Sequence, residues 1–269
     1  MNAPLVSVIM PVHNAERFVA DAIASVLHQA HANLQVIVVN DGSTDGTAHV
    51  LDAISDPRVT VIHQTQHGVS HARNTALAKA DGEFICFVDA DDHLPVRSIE
   101  HRLVVFDHNP SLSFVDGSVV YCDAALRPTE RRYVPSFTGD PFPLLLAFDR
   151  RCFFGNTWMI RRESVGAVRF REDLTHGEDL MFYLEIARGR QYGYTTEPVL
   201  LYRVTGQSSM IALERLEHCY HEILGWMRER PEHVDPEQLR RATRIVRRMM
   251  CGAYFHAGRP LRSLAALLR

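Results

Sequence analysis

Along the first half of the chain, short β-branched apolar runs alternate with stretches whose apolar positions recur at helical spacing. Leu5–Val12 is such a run, and Ala15–Gln29 follows with Phe18, Val19, Ala22, Ile23, Val26 and Leu27 on one helical face. Leu34–Val39 reads as the next strand, stopped by Asn40-Asp41-Gly42, and Thr44–Ile54 as a helix with Ser43 or Thr44 as its N-cap. Val59–His63 is a third strand, Val69–Ala80 a third helix, and Phe84–Val88 a wholly apolar fourth strand. An all-apolar strand fits a sheet covered by helices on both faces. The alternation predicts an α/β fold with a mainly parallel, doubly wound sheet. From about residue 112 the pattern is mixed. Strands are expected over Leu112–Tyr121, Thr157–Ile160 and Val199–Val204, and helices over Pro141–Phe148 and Asp179–Arg188. Beyond Ser209 the pattern is helical, with breaks at Arg230-Pro231 and near Gly258-Pro260.

Composition narrows the class. The 269 residues fit one large α/β domain, or one domain with an appendage, and 46% hydrophobic with 23% charged residues supports a sizeable core. A formal charge of −3 gives no global electrostatic case for nucleic acid. Cys86, Cys122, Cys152, Cys219 and Cys251 are widely spread with no CxxC pair. They read as reduced thiols of a cytoplasmic protein, not as a disulfide framework or a zinc site. The N-terminal segment lacks a basic region and reads as a first strand, not a signal peptide. No run reaches the ~18 apolar residues of a membrane-spanning helix.

In doubly wound sheets ligands bind beyond the C-terminal ends of the strands. Asp41 sits after the second strand, and Asp89 and Asp91 after the fourth. The carboxylates of Asp89-Ala90-Asp91-Asp92 repel one another unless a cation or hydrogen-bond donors offset them. In an extended chain Asp89 and Asp91 point to one side, and their hard oxygens suit Mg²⁺ or Mn²⁺, ions that also bind diphosphate. The competing reading is an acidic turn with Asp92 capping a helix around Pro95; the position after a buried strand favours the cation. Asp41-Gly42-Ser43-Thr44-Asp45-Gly46-Thr47 is rich in turn formers. Its Ser43–Thr47 part is expected to cap the helix while Asp41 accepts hydrogen bonds from a nucleobase.

Five strings point further: Ser7-Val8-Ile9-Met10-Pro11-Val12-His13-Asn14, Val39-Asn40-Asp41-Gly42-Ser43-Thr44-Asp45, Ala72-Arg73-Asn74-Thr75-Ala76, Gly82-Glu83-Phe84 through Asp92, and Gly177-Glu178-Asp179. In order and spacing, over about residues 5–205, they resemble the family 2 glycosyltransferases of the GT-A fold. The resemblance implies a GT-A (Rossmann-like) domain over 1–208, with a nucleotide-binding half (1–110) and an acceptor half (111–208), and a helical extension over 209–269. It implies an inverting transfer of one sugar from a nucleotide-sugar donor, most naturally a UDP-sugar, to a glycan or lipid-linked acceptor. Asp41 matches the base-contacting residue, with Pro11, Val12, His13 and Asn14 lining the nucleobase pocket. Asp89 matches the residue near the ribose, with Ala90 beside it on the donor side, and Asp91 matches the ligand of a Mn²⁺ or Mg²⁺ ion. Arg73 matches a basic residue on the donor side, Asp179 the general base, and Glu178 assists acceptor binding. Tyr202-Arg203 and Ser208 match a segment closing over the donor. His13 departs from the pattern, which has an aromatic, usually Tyr, at that place. The processive members' QxxRW signature is missing, which favours addition of a single sugar.

The residue types agree with that chemistry. A departing nucleoside diphosphate needs charge stabilisation, from a metal and Arg73, and the attacking hydroxyl needs a carboxylate to take its proton. Rival readings are an aspartate-nucleophile phosphatase, with Asp89 attacking, and a catalytically inactive sugar-nucleotide-binding protein. A nicotinamide enzyme is disfavoured because no GxGxxG follows the first strand. Glu178 and Asp179 also suit a helix's first turn simply through the macrodipole, and Phe153, Phe154 and Trp158 read as core packing before acceptor contacts. His63, His67 and His71 straddle a strand, a loop and a helix start and are expected to be unrelated; His218 and His221 lack a second ligand cluster. At the C-terminus Arg240, Arg241, Arg244, Arg247, Arg248, Arg259, Arg262 and Arg269 stand against Glu237 alone, with Leu239, Ile245, Val246, Met249 and Phe255 interleaved. Such a basic amphipathic helix can lie on an anionic membrane, which would make the protein peripheral on its inner face, or pack on the catalytic domain with a solvated Arg face.

Overall fold

A computed structural model describes residues 3–205 and 213–268. In chain order it contains β1 (Val6–Val12), α1 (Val19–Leu27), β2 (Leu34–Asp41), α2 (Thr47–Asp52), β3 (Val59–Gln64), α3 (Val69–Leu77), β4 (Phe84–Phe87) and α4 (Ser98–His108). There follow β5 (Leu112–Cys122), β6 (Pro128–Tyr133), α5 (Phe142–Leu146), β7 (Met159–Arg161), α6 (Arg162–Val165), α7 (Glu178–Ala187), β8 (Gln191–Arg203), α8 (Leu213–Arg228), α9 (Pro236–His256) and α10 (Pro260–Leu268). The strands form one sheet in the order β3-β2-β1-β4-β7-β5-β6, with β8 also paired to β5. β1 to β4 are mutually parallel, as is the β5–β8 pair. β7 runs antiparallel between β4 and β5 and divides the parallel β1–β4 half from the mixed remainder.

Alternation along the central strands sends side chains into two cores. Val6, Val8, Met10 and Val12 of β1 pack with α1 and α4, while Ile9 packs with α3 and α7 on the opposite face. Both faces are covered, which is why β1, β2 and β4 are almost continuously apolar. α8 and α9 extend the second core: Cys219, Ile223 and Trp226, with Val246, Met250 and Tyr254, join the cluster that holds Ile9 and Phe87. The expected helical extension is therefore packed on the α/β body. Its boundary at 208/209, and Ser208 itself, lie outside the described residues.

Several expectations are corrected. β6, PTERRY, is exposed at five of its six positions and carries no apolar run to betray it; charged edge strands of this kind resist edge-to-edge pairing. β8 begins at Gln191, eight residues before the apolar Val199 that marked it in the pattern. α2 begins at Thr47 with Gly46 at the N-cap position, so neither Ser43 nor Thr44 caps it. Ser43 Oγ instead accepts from Asn14 N at 2.9 Å, and Thr44 N donates to Asn14 Oδ1 at 2.8 Å. Those groups stitch two loops together at the edge where β1 and β2 end.

Candidate active site

Because β1, β2 and β4 are parallel, their C-terminal ends bring His13, Asp41 and Asp89 to one edge of the sheet. His13 Nδ1 lies 2.8 Å from the carbonyl oxygen of Asp41. A carbonyl only accepts, so Nδ1 carries the proton and Nε2 is left as an acceptor. Asn14 holds a left-handed conformation (φ 51°), which Asn tolerates better than most residues. His13 and Asn14 are exposed, whereas Pro11 and Val12 are buried, so only the outer part of that segment presents side chains at the edge. Ala90 is likewise buried, 7% exposed.

Asp41 is 4% exposed and heavily engaged. Its Oδ1 accepts from Gln64 Nε2 at 2.7 Å and His67 N at 2.9 Å, and its Oδ2 from Gly68 N at 2.7 Å. The carboxylate thus holds the β3–α3 loop in place. With about four lone-pair sites on an ionised carboxylate, one acceptor position remains for a ligand donor. Gly68 takes φ 98°, a conformation open to glycine, and so delivers its N–H to Asp41.

The Asp-rich loop is a turn rather than an extended strand: Asp92 N donates to Asp89 O at 3.1 Å. Its acids therefore diverge. Asp89 reaches Arg73 and keeps 46% of its side chain exposed. Asp91 is half-buried, and burial followed by the charge of Asp89 raises its carboxyl above the usual range. Asp92 is 3% exposed and accepts from Arg203 N at 2.9 Å, with burial and then Asp89 raising its pKa well above normal. Asp92 consequently anchors the end of β8; α4 begins only at Ser98, after Arg97, so the capping expectation does not hold. Arg203 donates through Nε to Asp91 O at 2.7 Å and through Nη1 to Ala124 O at 2.6 Å, its guanidinium 4.7 Å from the Phe18 ring centre. Its buried Nη2 finds no hydrogen-bond partner among the described residues.

Arg73 of α3 joins the strand-end edge at Asp89 to α7. It is 2% exposed; Nη1 donates to Glu178 Oε1 at 2.7 Å and Nη2 to Asp89 Oδ1 at 3.0 Å, with Phe170 5.3 Å beneath the guanidinium. Burial opposes its charge, but Asp89 and Glu178 outweigh that and hold its pKa above the ordinary value. Both Nη groups are committed to carboxylates. Asp179, next to Glu178 in the first turn of α7, is half-buried, and its Oδ1 accepts from Leu180 N at 2.7 Å. Burial first, then the charge of Glu178, pushes its carboxyl up to about 7, against the opposing pull of Arg73. A Cβ added at Gly155 would stand 3.6 Å from Asp179 Oδ2, so the bare glycine keeps the surroundings of that oxygen uncrowded. A carboxylate titrating near neutrality is poised to accept a proton.

Among the described residues no three His, Cys, Asp or Glu side chains gather closely enough to enclose a cation. Asp91, with Asp89 beside it, supplies one or two hard oxygens. That donor set fits Mg²⁺ or Mn²⁺ of the kind that keeps waters and completes its shell with substrate phosphate, rather than a fully caged ion.

The structure thus brings Asp89, Arg73, Glu178 and Asp179 together and links Asp91, Asp92 and Arg203 to them. Sequence reasoning missed the Asp92–Arg203 anchor, Phe170 under Arg73, and the donors from Gln64 and the His67-Gly68 backbone; of these, only Gly68 carried a local signal. Trp158 is fully buried, stacked on Tyr183 at 4.2 Å, in keeping with the core reading. His67 and His71, expected to be unrelated, stack at 4.7 Å because the loop and the first turn of α3 bring them together, and His71 Nδ1 lies 3.0 Å from Glu172 Oε2.

Residues 7–169 match the family model described as "Glycosyl transferase family 2". An uncharacterized glycosyltransferase of Haemophilus influenzae is 33% identical over 195 residues, covering 69% of this chain and 72% of that protein. The chain spans only 29–38% of the length of four further glycosyltransferase relatives. The Escherichia coli protein WfgD, named as a UDP-Glc:α-D-GlcNAc-diphosphoundecaprenol β-1,3-glucosyltransferase, is 38% identical over 119 residues, 44% of this chain and 47% of WfgD. Among solved structures, the Pyrobaculum calidifontis mannosyltransferase PcManGT, in complex with GDP-Man and Mn²⁺, superposes with TM-score 0.63 at 22% identity, covering 100% of this chain and 75% of that one.

Proposed function

The chain belongs to glycosyl transferase family 2, and on that footing we propose that it moves one sugar from a nucleoside-diphosphate donor, a UDP-sugar, to a hydroxyl of a glycan or lipid-linked acceptor, with inversion at the anomeric carbon and Asp179 as general base. The observation that carries this reading is the Arg73 fork. One buried guanidinium is bonded to Asp89 at the end of β4 and to Glu178 at the head of α7, which fixes a donor-side acid and the proposed base within one charge cluster. The name of WfgD supports a UDP donor and a diphosphate-linked lipid acceptor. The five free cysteines favour the cytoplasm as the compartment.

In this mechanism His13, Asn14 and the remaining acceptor position of Asp41 receive the nucleobase. The unpartnered Nη2 of Arg203 offers a cationic donor to the diphosphate, since a buried N–H without a partner is costly until something accepts from it. A Mg²⁺ or Mn²⁺ ion held by Asp91, with Asp89 adjoining, supplies charge stabilisation to the leaving diphosphate when bound. Asp179 takes the proton of the acceptor hydroxyl as that oxygen attacks the anomeric carbon from the face opposite the leaving group. Glu178, held by Arg73, keeps the first turn of α7 in place and raises the basicity of Asp179.

Calorimetric titration with UDP, GDP, dTDP and CMP, in Mn²⁺ and then in EDTA, tests the donor side. One diphosphate is expected to bind in a metal-dependent way, with Asp91→Asn removing the metal dependence. Absence of binding by every nucleotide would overturn the assignment of the site.

A further inference from the structure

The C-terminal arginines acquire a second feature once α10 is in place. α9 turns at Gly258, in left-handed conformation (φ 70°), and α10 folds back on it, with Ser263 Oγ donating to Cys251 O at 2.8 Å. α10 turns Ser263 and Ala266 inward. Its outward side is leucine: Leu261 is 84% exposed, Leu264 59% and Leu267 42%, and Phe255, just before the corner, is 67% exposed. The other exposed large apolar residues (Val96, Val104, Val134, Val204 and Met249) are scattered along the chain. A cluster of exposed large apolar side chains marks an interaction site.

Cations surround this face. Arg241 and Arg248 are exposed seven positions apart on the side of α9 that ends at Phe255, and Arg262 is exposed on α10. None of the three enters an ion pair among the described residues, whereas Arg240, Arg244 and Arg259 are matched by Glu237 and Glu214. Arginine held in no close ion pair, though Arg241 and Arg262 feel Asp149 and Glu214 at longer range, stands beside exposed leucine and selects the occupant. A two-fold contact with a second copy would press this arginine-bearing patch against its own image, since such an interface is self-complementary. A soluble polyanion would leave the leucines in water. An anionic bilayer satisfies both features, with apolar side chains entering the headgroup–acyl boundary and arginines meeting lipid phosphate.

We propose that Phe255, Leu261, Leu264 and Leu267, flanked by Arg241, Arg248 and Arg262, form a docking surface for an anionic membrane. The surface stands apart from the transferase reading, because vesicle binding needs neither donor nor acceptor. The test is flotation of the full chain with phosphatidylethanolamine/phosphatidylglycerol vesicles and with pure phosphatidylcholine. Expected are binding to the anionic vesicles only, weakening with salt, and loss in Leu261→Ser/Leu264→Ser. The triple variant Arg241→Glu/Arg248→Glu/Arg262→Glu should bind at least ~100-fold more weakly, the loss from removing three arginines, with the added carboxylates weakening it further. Both variants change exposed positions, so unaltered melting and UDP binding in them show that the fold is intact. No binding to anionic vesicles, binding unchanged by the leucine substitutions, or a concentration-dependent dimer dissolved by those substitutions in place of vesicle binding would each overturn the proposal.

Discussion

Replacing Asp179 with asparagine separates the charge of the proposed base from its shape. Burial and then Glu178 raise the carboxyl from an ordinary 3.8 to about 7. At about 1.4 kcal/mol per unit, the ionised side chain destabilises the folded chain by about 4 kcal/mol at alkaline pH. Asparagine keeps an acceptor for Leu180 N, so most of that penalty should be relieved, about 2–4 kcal/mol. The pH dependence has a definite sign. Between the unfolded and folded pKa values the native state holds a proton that the unfolded chain has released, so wild-type stability falls as pH rises from about 4 to 7 and levels off above. Asp179→Asn lacks this fall. Its advantage should be absent near pH 4 and reach on the order of 5–10 °C in melting temperature at pH 8. Transfer should drop about 10²–10⁴-fold, the usual contribution of a general base. In the wild type, kcat/KM should rise tenfold per pH unit toward a plateau above about 7. Thermal melts from pH 4 to 9, alongside a donor-turnover assay, read both effects. A melting difference that does not grow with pH would refute the electrostatic reasoning, and transfer within tenfold of wild type would refute the role of Asp179 as base.

Two other substitutions probe the framework around it. Arg73→Gln leaves Asp89 and Glu178 without their shared cation and should cost about 3–5 kcal/mol in denaturant unfolding; because Arg73 also holds the Asp179 pKa down, the acid limb of the activity profile should move to higher pH, and a profile unmoved in a folded variant would contradict this. Gly177→Ala places a side chain at φ 61° and drives its Cβ into Cys219 Sγ, so a loss of about 1–3 kcal/mol is expected. Adding Cys219→Ala should recover the steric part but not the backbone part, and complete recovery would show that the left-handed conformation carries no cost here.

The β1–β4 half of the fold was legible because β1, β2 and β4 are buried on both faces and therefore announce themselves as nearly unbroken apolar runs. β6 and the first part of β8 were not, since PTERRY pairs at the sheet's margin with no apolar face, and the start of β8 buries only Tyr192 and Gly193 among polar neighbours. Asp41, Asp89, Asp91 and Asp179 could be picked out by their places at strand and helix ends together with the family strings. Their partners could not. Asp92 meets Arg203 across 111 positions of sequence, and Arg73 meets Glu178 across 105; such pairings exist only once the sheet order is known. The Asp-rich loop misled for a related reason. The pattern of its letters is the same in an extended strand and in a turn, and the bond from Asp92 N to Asp89 O, which decides between them, leaves no mark in the sequence.

The site's charge balance then bears on its chemistry. Asp89, Asp91, Asp92, Glu178 and Asp179 stand together with two guanidiniums, Arg73 and Arg203, and the first of these is already spent on Asp89 and Glu178. Burial first, and then the neighbouring carboxylates, act in the same direction at Asp91, Asp92 and Asp179, each of which holds its proton more tightly than usual. A nucleoside diphosphate would bring still more negative charge to this edge. Two outcomes reconcile the site with such a ligand: some of the acids stay protonated, or a divalent cation enters with the diphosphate. Protonation alone predicts that UDP binds best below neutral pH and is indifferent to EDTA. Cation entry predicts the reverse, with binding strongest at alkaline pH, where Asp91 is ionised and Asp179 is free to act as base. Only the second would set donor binding and the proposed proton abstraction at the same pH, so the pH and EDTA dependence of UDP binding tests the proposed transfer as a whole.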